Sequence, residues 1–404
     1  MGDESGAESK SDSTLGPRRR RLRFGLRTLL LTMAIAAVLM GTAGTFLLRL
    51  NARRQAVSQA RQYGWKVYLD HEIRGDDGRK NDPLGPDWVR RYLGDDAFSS
   101  VAYLRVKASK EYSKHYALIS KFPNLVHLDI AGTEFIDRDM RYVAGAKELK
   151  TLVLRDAGIT NAGLSLLGNN SKLTTLALQG TNVDASFLEG VQLLAELQEL
   201  SLSNTKIQGR ELGRLRTLAN LQKISLRQGP PLARDDWREI SQLESLQGLS
   251  LVKVKILDGF SGFEPRHLRR LEVAASNLTR EDLIVISKLR TLEMLIAPSP
   301  QWDDDTLASL VEWPYLQTLF VRSAPITDQG AEHLAKMASL RVLDVSFSEI
   351  TDQGAARFAK LKDLKRLTLG PHVSIECASQ LAKELPDCEI AVYDQAGIGI
   401  FHHP

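Results

Sequence analysis

Two cysteines in 404 residues are too few for a disulfide framework. Cys377 and Cys388 also lack the Cys-x-x-Cys spacing of a redox or zinc motif. If Cys377 to Leu385 forms the last helix, the two thiols stand at its opposite ends, on the order of 15 Å apart, where a disulfide needs alpha carbons within about 7 Å. Missing too are a phosphate-binding glycine loop, His-Glu-x-x-His and Gly-x-Ser-x-Gly. The histidines are scattered from His71 to His372, and His402 and His403 lie in a terminal tail too close to the end to hold a metal. The sequence therefore names no catalytic residue, no metal ligand and no cofactor. Its most local absence is of charge: no charged residue occurs between Thr28 and Leu48, although charged residues make up 25% of the chain.

An uncharged run of that length covers a hydrocarbon core of roughly 30 Å as a helix, so residues 28–48 read as a transmembrane anchor in contact with lipid. A cleaved signal peptide would find small residues at Gly41-Thr42-Ala43. The apolar run instead continues through Phe46, Leu47 and Leu48 and turns basic at Arg49, Arg53 and Arg54. A buried core helix is the third reading. Arg18, Arg19, Arg20, Arg21, Arg23 and Arg27 precede the run, against Arg49, Arg53, Arg54 and Arg61 after it. The positive-inside rule then places the amino terminus in the cytoplasm and the bulk of the chain outside it. The Arg18 to Arg21 run is explained by topology and anionic lipid; nucleic acid is not expected, because no aromatic framework accompanies it. Residues 1–27 form a basic tail, disordered at least to Pro17 by its Ser, Gly, Asp and Glu content.

What the chain has in abundance is repetition. LQTLFVRSAPITDQGAEHLAKMAS from Leu316 is followed at once by LRVLDVSFSEITDQGAARFAKLKD. Each copy opens with period-two apolar residues, Leu319 and Val321 or Leu343 and Val345, then turns and continues at helical spacing. Thr327 or Thr351 stands where it can cap the helix, with Asp328 or Asp352 beside the positive end of its dipole. The frame recurs every 24 residues from Val101 to Leu364, apart from intervals of 25 after Leu221 and 22 after Leu246. It sets a core ladder of Leu104, Leu128, Leu152, Leu176, Leu200, Ile224, Leu249, Leu271, Leu295, Leu319, Leu343 and Leu367. A dozen strands at the usual spacing make a face on the order of 50 Å long.

These repeats resemble leucine-rich repeats of the subclass whose turn reads Thr-x-Ile-Thr-Asp-x-Gly-Leu, the ribonuclease-inhibitor-like type. The phrase Arg23-Phe24-Gly25-Leu26-Arg27 before the apolar run is similar to the juxtamembrane start of bacterial single-pass proteins that carry such repeats. The resemblance implies an α/β solenoid, with a curved parallel sheet inside and helices outside, preceded by one transmembrane helix. The expected order is a tail (1–27), the span (28–48), a linker and amino-terminal cap (49–100), the array (101–393) and a carboxy-terminal tail (394–404). Trp65, Trp88, Val89, Tyr92 and Leu93 supply apolar material for the cap. At the ninth position, where the family has Asn or Cys, this chain has Thr133, Thr181, Thr205, Ser276 and Ser348, with Ala157, Gly229 and Ala324 elsewhere. A hydroxyl there can serve the backbone of a neighbouring turn. Trp302 is expected in the core, and Asp303, Asp304 and Asp305 fall where other repeats start a helix, which points to capping before calcium.

Such arrays bind proteins on the inner sheet, and alternate strand positions line it here. Through the first half these are mostly polar, as at Arg105, Asp129, Thr175, Ser201 and Ser225. From Leu292 onward they become Met294 and Ile296, Phe320 and Arg322, Val342 and Asp344, with Phe347 just beyond. Apolar residues on neighbouring exposed strands suit a protein partner, although the chain's own tail could cover them. The expected function is a non-catalytic, membrane-anchored binding module for adhesion, scaffolding or recognition. A cytosolic recognition subunit of a ubiquitin-ligase-like or signalling complex would need a recruitment domain where the apolar run stands. A carbohydrate-active enzyme would need an acid pair such as Asp303 and Asp305.

Overall fold

The computed structural model describes residues 26–73, 82–394 and 399–402. The expected disordered tail therefore lies almost wholly outside the described residues, as do His403 and residues 74–81. The chain divides into two compact units, residues 1–55 and 56–404.

In the first unit, the apolar run lies in a single helix, α1 (Leu26–Gln62), which continues without a break into the polar residues after Leu50. It is the one helix among the described residues long and apolar enough to cross a membrane, with a mean hydropathy of 1.9 over its most apolar window. Leu30, Met33, Val38, Met40 and Leu48 are exposed along it. Gly64, with a left-handed φ of 72°, follows the helix end, where an L side chain would be strained.

The second unit is one sheet of 15 strands in chain order. They are β1 (Lys66–Leu69), β2 (Val101–Lys107), β3 (His127–Ala131), β4 (Thr151–Arg155), β5 (Thr175–Gln179), β6 (Glu199–Ser203), β7 (Lys223–Arg227), β8 (Gly248–Val252), β9 (Arg270–Ala274), β10 (Met294–Ile296), β11 (Thr318–Phe320), β12 (Val342–Asp344), β13 (Arg366–Leu369), β14 (Glu389–Tyr393) and β15 (Gly399–His402). Strands β2 to β14 are parallel, while β1 and β15 pair antiparallel at the two edges. The ladder predicted from the 24-residue frame is in register throughout, for example Leu295 with Leu319, Leu319 with Leu343 and Leu343 with Leu367. Every rung is buried. Stacking buries what one repeat leaves exposed, and this is the source of the solenoid's stability. Ile390 is a further rung beside Leu367, and residues 399–402, expected to be tail, add β15 beside it. Several outer connections are tight 3₁₀ turns rather than α-helices, as at Ser113–Lys121 and Gly209–Thr217.

At the amino-terminal edge, Trp65, Val67 and Leu69 are buried, together with Ala56 and Ala60 from the end of α1. The cap is smaller than expected. On α2 (Asp87–Leu93), Trp88 is 69% and Tyr92 is 86% exposed, and Val89 and Leu93 are half-buried. Helical geometry puts Trp88 and Tyr92 on one face and Val89 and Leu93 on the next, so only the second pair turns inward.

The turn motif has a function that local reading of its charge does not reveal. Thr327 and Thr351 cap their helices as expected, accepting from the Gln329 and Gln353 amides. The aspartate that follows each cap, however, reaches the next repeat. Asp304 accepts from Thr327 N and Oγ1 at 3.0 and 2.6 Å, Asp328 from Thr351 at 2.8 and 2.7 Å, and Asp352 from both donors of Ser374 at 2.7 Å. Gly354 makes room for this bond, because a Cβ there would run into Asp328 Oδ1. Alanine inside a helix ordinarily stabilises by roughly 0.5–1 kcal/mol relative to glycine. We expect the reverse at this site: Gly354→Ala lowers the urea midpoint. Asp328→Ala also lowers it, by about 1 kcal/mol for the lost hydrogen bonds. Combining the two should restore part of what Gly354→Ala loses, since the carboxylate is then gone. Strictly additive losses would show that the staple is not the reason for the glycine.

Four of the five ninth-position hydroxyls do not serve neighbouring turns. Thr181, Thr205 and Ser348 bury hydroxyls that have no hydrogen-bond partner among the described residues, and Ser276 bonds back to Ala274 O at 3.3 Å. The residue just before this position carries the turn instead. Asp156, Asn204, Gln228, Lys253, Ala275, Ser323 and Phe347 all take a left-handed φ between 49° and 59°. Each costs roughly 1–2 kcal/mol that glycine would avoid, so the stacked core has to hold them there.

Candidate functional site

The strand register assembles the candidate residues on the inner face. Met294, Thr318 and Val342 form one row across β10, β11 and β12, and Ile296, Phe320 and Asp344 form the next. The intervening Leu295, Leu319 and Leu343 point into the core. Met294, Ile296, Phe320 and Val342 are half-buried by one another's neighbours, so together they make an apolar floor rather than free-standing side chains. Thr318 lies within that floor; its place is legible from the 24-residue period but not from its chemistry.

The polar members of the set act differently. Asp344, expected on the surface, is buried. It accepts from Ser346 N at 3.0 Å and Ser346 Oγ at 2.7 Å, and Arg322 Nε lies 3.4 Å from its other oxygen. A short carboxylate at this point folds back onto the turn after its own strand, and in doing so positions Arg322. Arg322 itself is exposed. Phe347 is 41% exposed at a left-handed φ of 57°, its ring 6.3 Å from that of Tyr393. A bulky residue held in that conformation is uncommon, and here it extends the apolar floor towards β14. Arg270 precedes Met294 in its row and Arg366, 3.2 Å from Glu389, follows Val342, while Glu272 precedes Ile296, so charged residues of both signs border the floor. An apolar centre with a charged rim is the usual anatomy of a protein-binding patch. The described part of the tail extends the sheet beside β14.

The start of the polar half is closed on itself. Asp129 is buried, with Arg105 Nε at 2.7 Å and an Arg155 nitrogen at 3.1 Å. Burial lowers the pKa of the neighbouring His127. The two polar residues singled out at the start of the sheet are thus already engaged with each other.

Of the aspartate run, Asp303 caps its helix, as expected. Asp303 accepts from Thr306 N and Oγ1 at 2.8 Å, and Arg280 lies 2.7 Å from Asp303 and 3.5 Å from Asp305. Burial alone would raise the Asp303 pKa, but these hydrogen bonds and Arg280 outweigh it and hold the carboxyl below its ordinary value. A glycosidic general acid needs the opposite shift. Trp302 is fully buried, its indole donating to Ala297 O at 2.7 Å. Both cysteines are free, and burial pushes each thiol up to about 11. Among the described residues no cluster of His, Cys, Asp and Glu has the makings of a metal site.

Comparison with known proteins agrees on the repeat. Residues 336–359 match the family model described as Leucine Rich repeat. No curated protein matches the chain. Among solved structures, it is similar to an internalin (inlF) of Listeria monocytogenes, with 19% identity and a TM-score of 0.47 over 73% of this chain and 81% of that one. It is also similar to a leucine-rich repeat protein of Leptospira interrogans, with 18% identity and a TM-score of 0.39 over 68% and 74% of the two chains. A chain of the octameric complex of Latrophilin 3, Unc5D and FLRT2 (LRR) matches with 19% identity and a TM-score of 0.40, over 61% of this chain and 84% of its own. The family match falls on β12 and the helical turns that follow it. The register carries the same unit along the sheet, and its architecture is that of a leucine-rich repeat solenoid.

Proposed function

We propose that this chain is a membrane-anchored, non-catalytic binding module that holds a protein partner on the inner face of its solenoid, outside the cytoplasm. The observation that carries this reading is the apolar floor of Met294, Ile296, Phe320 and Val342 with Arg270, Arg322 and Arg366 at its border. Partner sites combine apolar anchors with a polar rim that excludes water. The anchor is residues 28–48 within α1, whose side chains are exposed apart from the half-buried Phe46 and whose length suits a bilayer. The arginine excess before this segment supports a cytoplasmic amino terminus.

Each half of the proposal has its own test. Full-length chain should stay in the membrane fraction after carbonate washing; recovery in the wash, or a mature amino terminus at Gly44, would remove the anchor. For the face, Phe320→Glu with Val342→Glu should abolish partner capture while the fold survives.

A further inference from the structure

The aromatic residues of α2, expected in the core and found on the surface, call for a partner of their own. Trp88 and Tyr92 are one helical turn apart and lie on one face with Arg91. Leu84, just before the helix, is exposed as well. Of the five tryptophans, Trp65, Trp237, Trp302 and Trp313 are at most 2% exposed, against 69% for Trp88. The acidic groups nearby do not set the charge of this face, because Arg90 pairs with Asp87 and lies 3.5 Å from Asp95. Arg91 is exposed and has no ion-pair partner among the described residues.

We infer that this face of α2 is a membrane-interface contact, with Trp88 and Tyr92 seated at headgroup level and Arg91 facing lipid phosphate. Tryptophan and tyrosine have an apolar body and a polar tip, which is why they gather at the boundary between hydrocarbon and water. Arginine matches phosphate with a planar fork of donors. In the chain, residues 49–86 lie between the proposed span and α2, and the first of them, 49–62, continue α1. The inference rests on the anchor proposed above. It adds a second lipid contact, made by α2, to the one proposed for the span.

The experiment uses full-length chain in phosphatidylcholine vesicles, with acyl chains either plain or brominated near the headgroup. Flotation comes first, because a chain that does not float with the vesicles loses its anchor, and this inference falls with it. In floating protein, brominated lipid should lower tryptophan emission of the parent and leave that of Trp88→Phe unchanged, since the other indoles are buried. A floating parent whose emission ignores bromine, or equal quenching in Trp88→Phe, overturns the inference and leaves the anchor intact. Protection of Trp88 from aqueous iodide that grows with protein density, without quenching by bromine, would give the face to a second copy and equally overturn it.

Discussion

Replacing Leu343 with Asp is expected to destabilise the repeat unit by several kcal/mol. Leu343 is fully buried between Leu319 and Leu367 on the adjacent strands. Losing a buried leucine side chain alone costs roughly 2–5 kcal/mol. A carboxylate in its place adds the penalty of an unpaired charge in an apolar layer, unless the side chain protonates, which itself costs stability at neutral pH. Each repeat of a solenoid contacts only its neighbours, so the damage should spread from β12 to the adjoining repeats before it reaches the amino-terminal half. Limited proteolysis should therefore cut first between residues 316 and 390, and the urea midpoint should fall. Leu343→Met, which conserves volume, should cost less than about 1.5 kcal/mol. An Asp variant that unfolds like the parent would mean that the 24-residue frame is set wrongly.

The second large effect concerns binding. Glutamate at both Phe320 and Val342 puts two like charges on adjacent strands of the apolar floor. Neither residue is in the fully buried core, so the stability loss should be modest beside that of Leu343→Asp. Capture of the partner should fall far more, because charging a central apolar anchor typically costs about 2 kcal/mol or more of binding, a factor of thirty or so for each such residue. Arg322→Ala should weaken capture less. Its guanidinium stands at the rim, where a single charge changes association rate and salt dependence more than affinity.

The ladder was legible because each repeat places the same residue at the same height, so a period in the sequence becomes a contact in space. The same logic found the floor residues. It misplaced Asp344 because outward direction was read from alternation, while the bonds to Ser346 that draw the carboxylate in depend on the turn that follows. Asp328 was read through its own helix dipole, whereas its partner Thr351 lies 23 residues away and is found only once the stacking is known. Trp88 and Tyr92 were assigned to the core on aromatic character alone; exposure depends on which face of a seven-residue helix meets the cap. Ile390 escaped the ladder because its repeat opens with Cys388 in place of leucine and Ile390 follows Leu367 by 23 residues, one short of the period.

The most direct test of the central claim compares two double variants of the full chain for retention of the partner that the parent holds in its own membrane. One is Phe320→Glu with Val342→Glu; the other is Thr175→Glu with Ser201→Glu on the polar half, each first shown to melt near the parent. The account predicts that the first releases the partner and the second keeps it. Equal retention by both, or release by the second alone, would contradict the assignment of binding to the floor across β10 to β12.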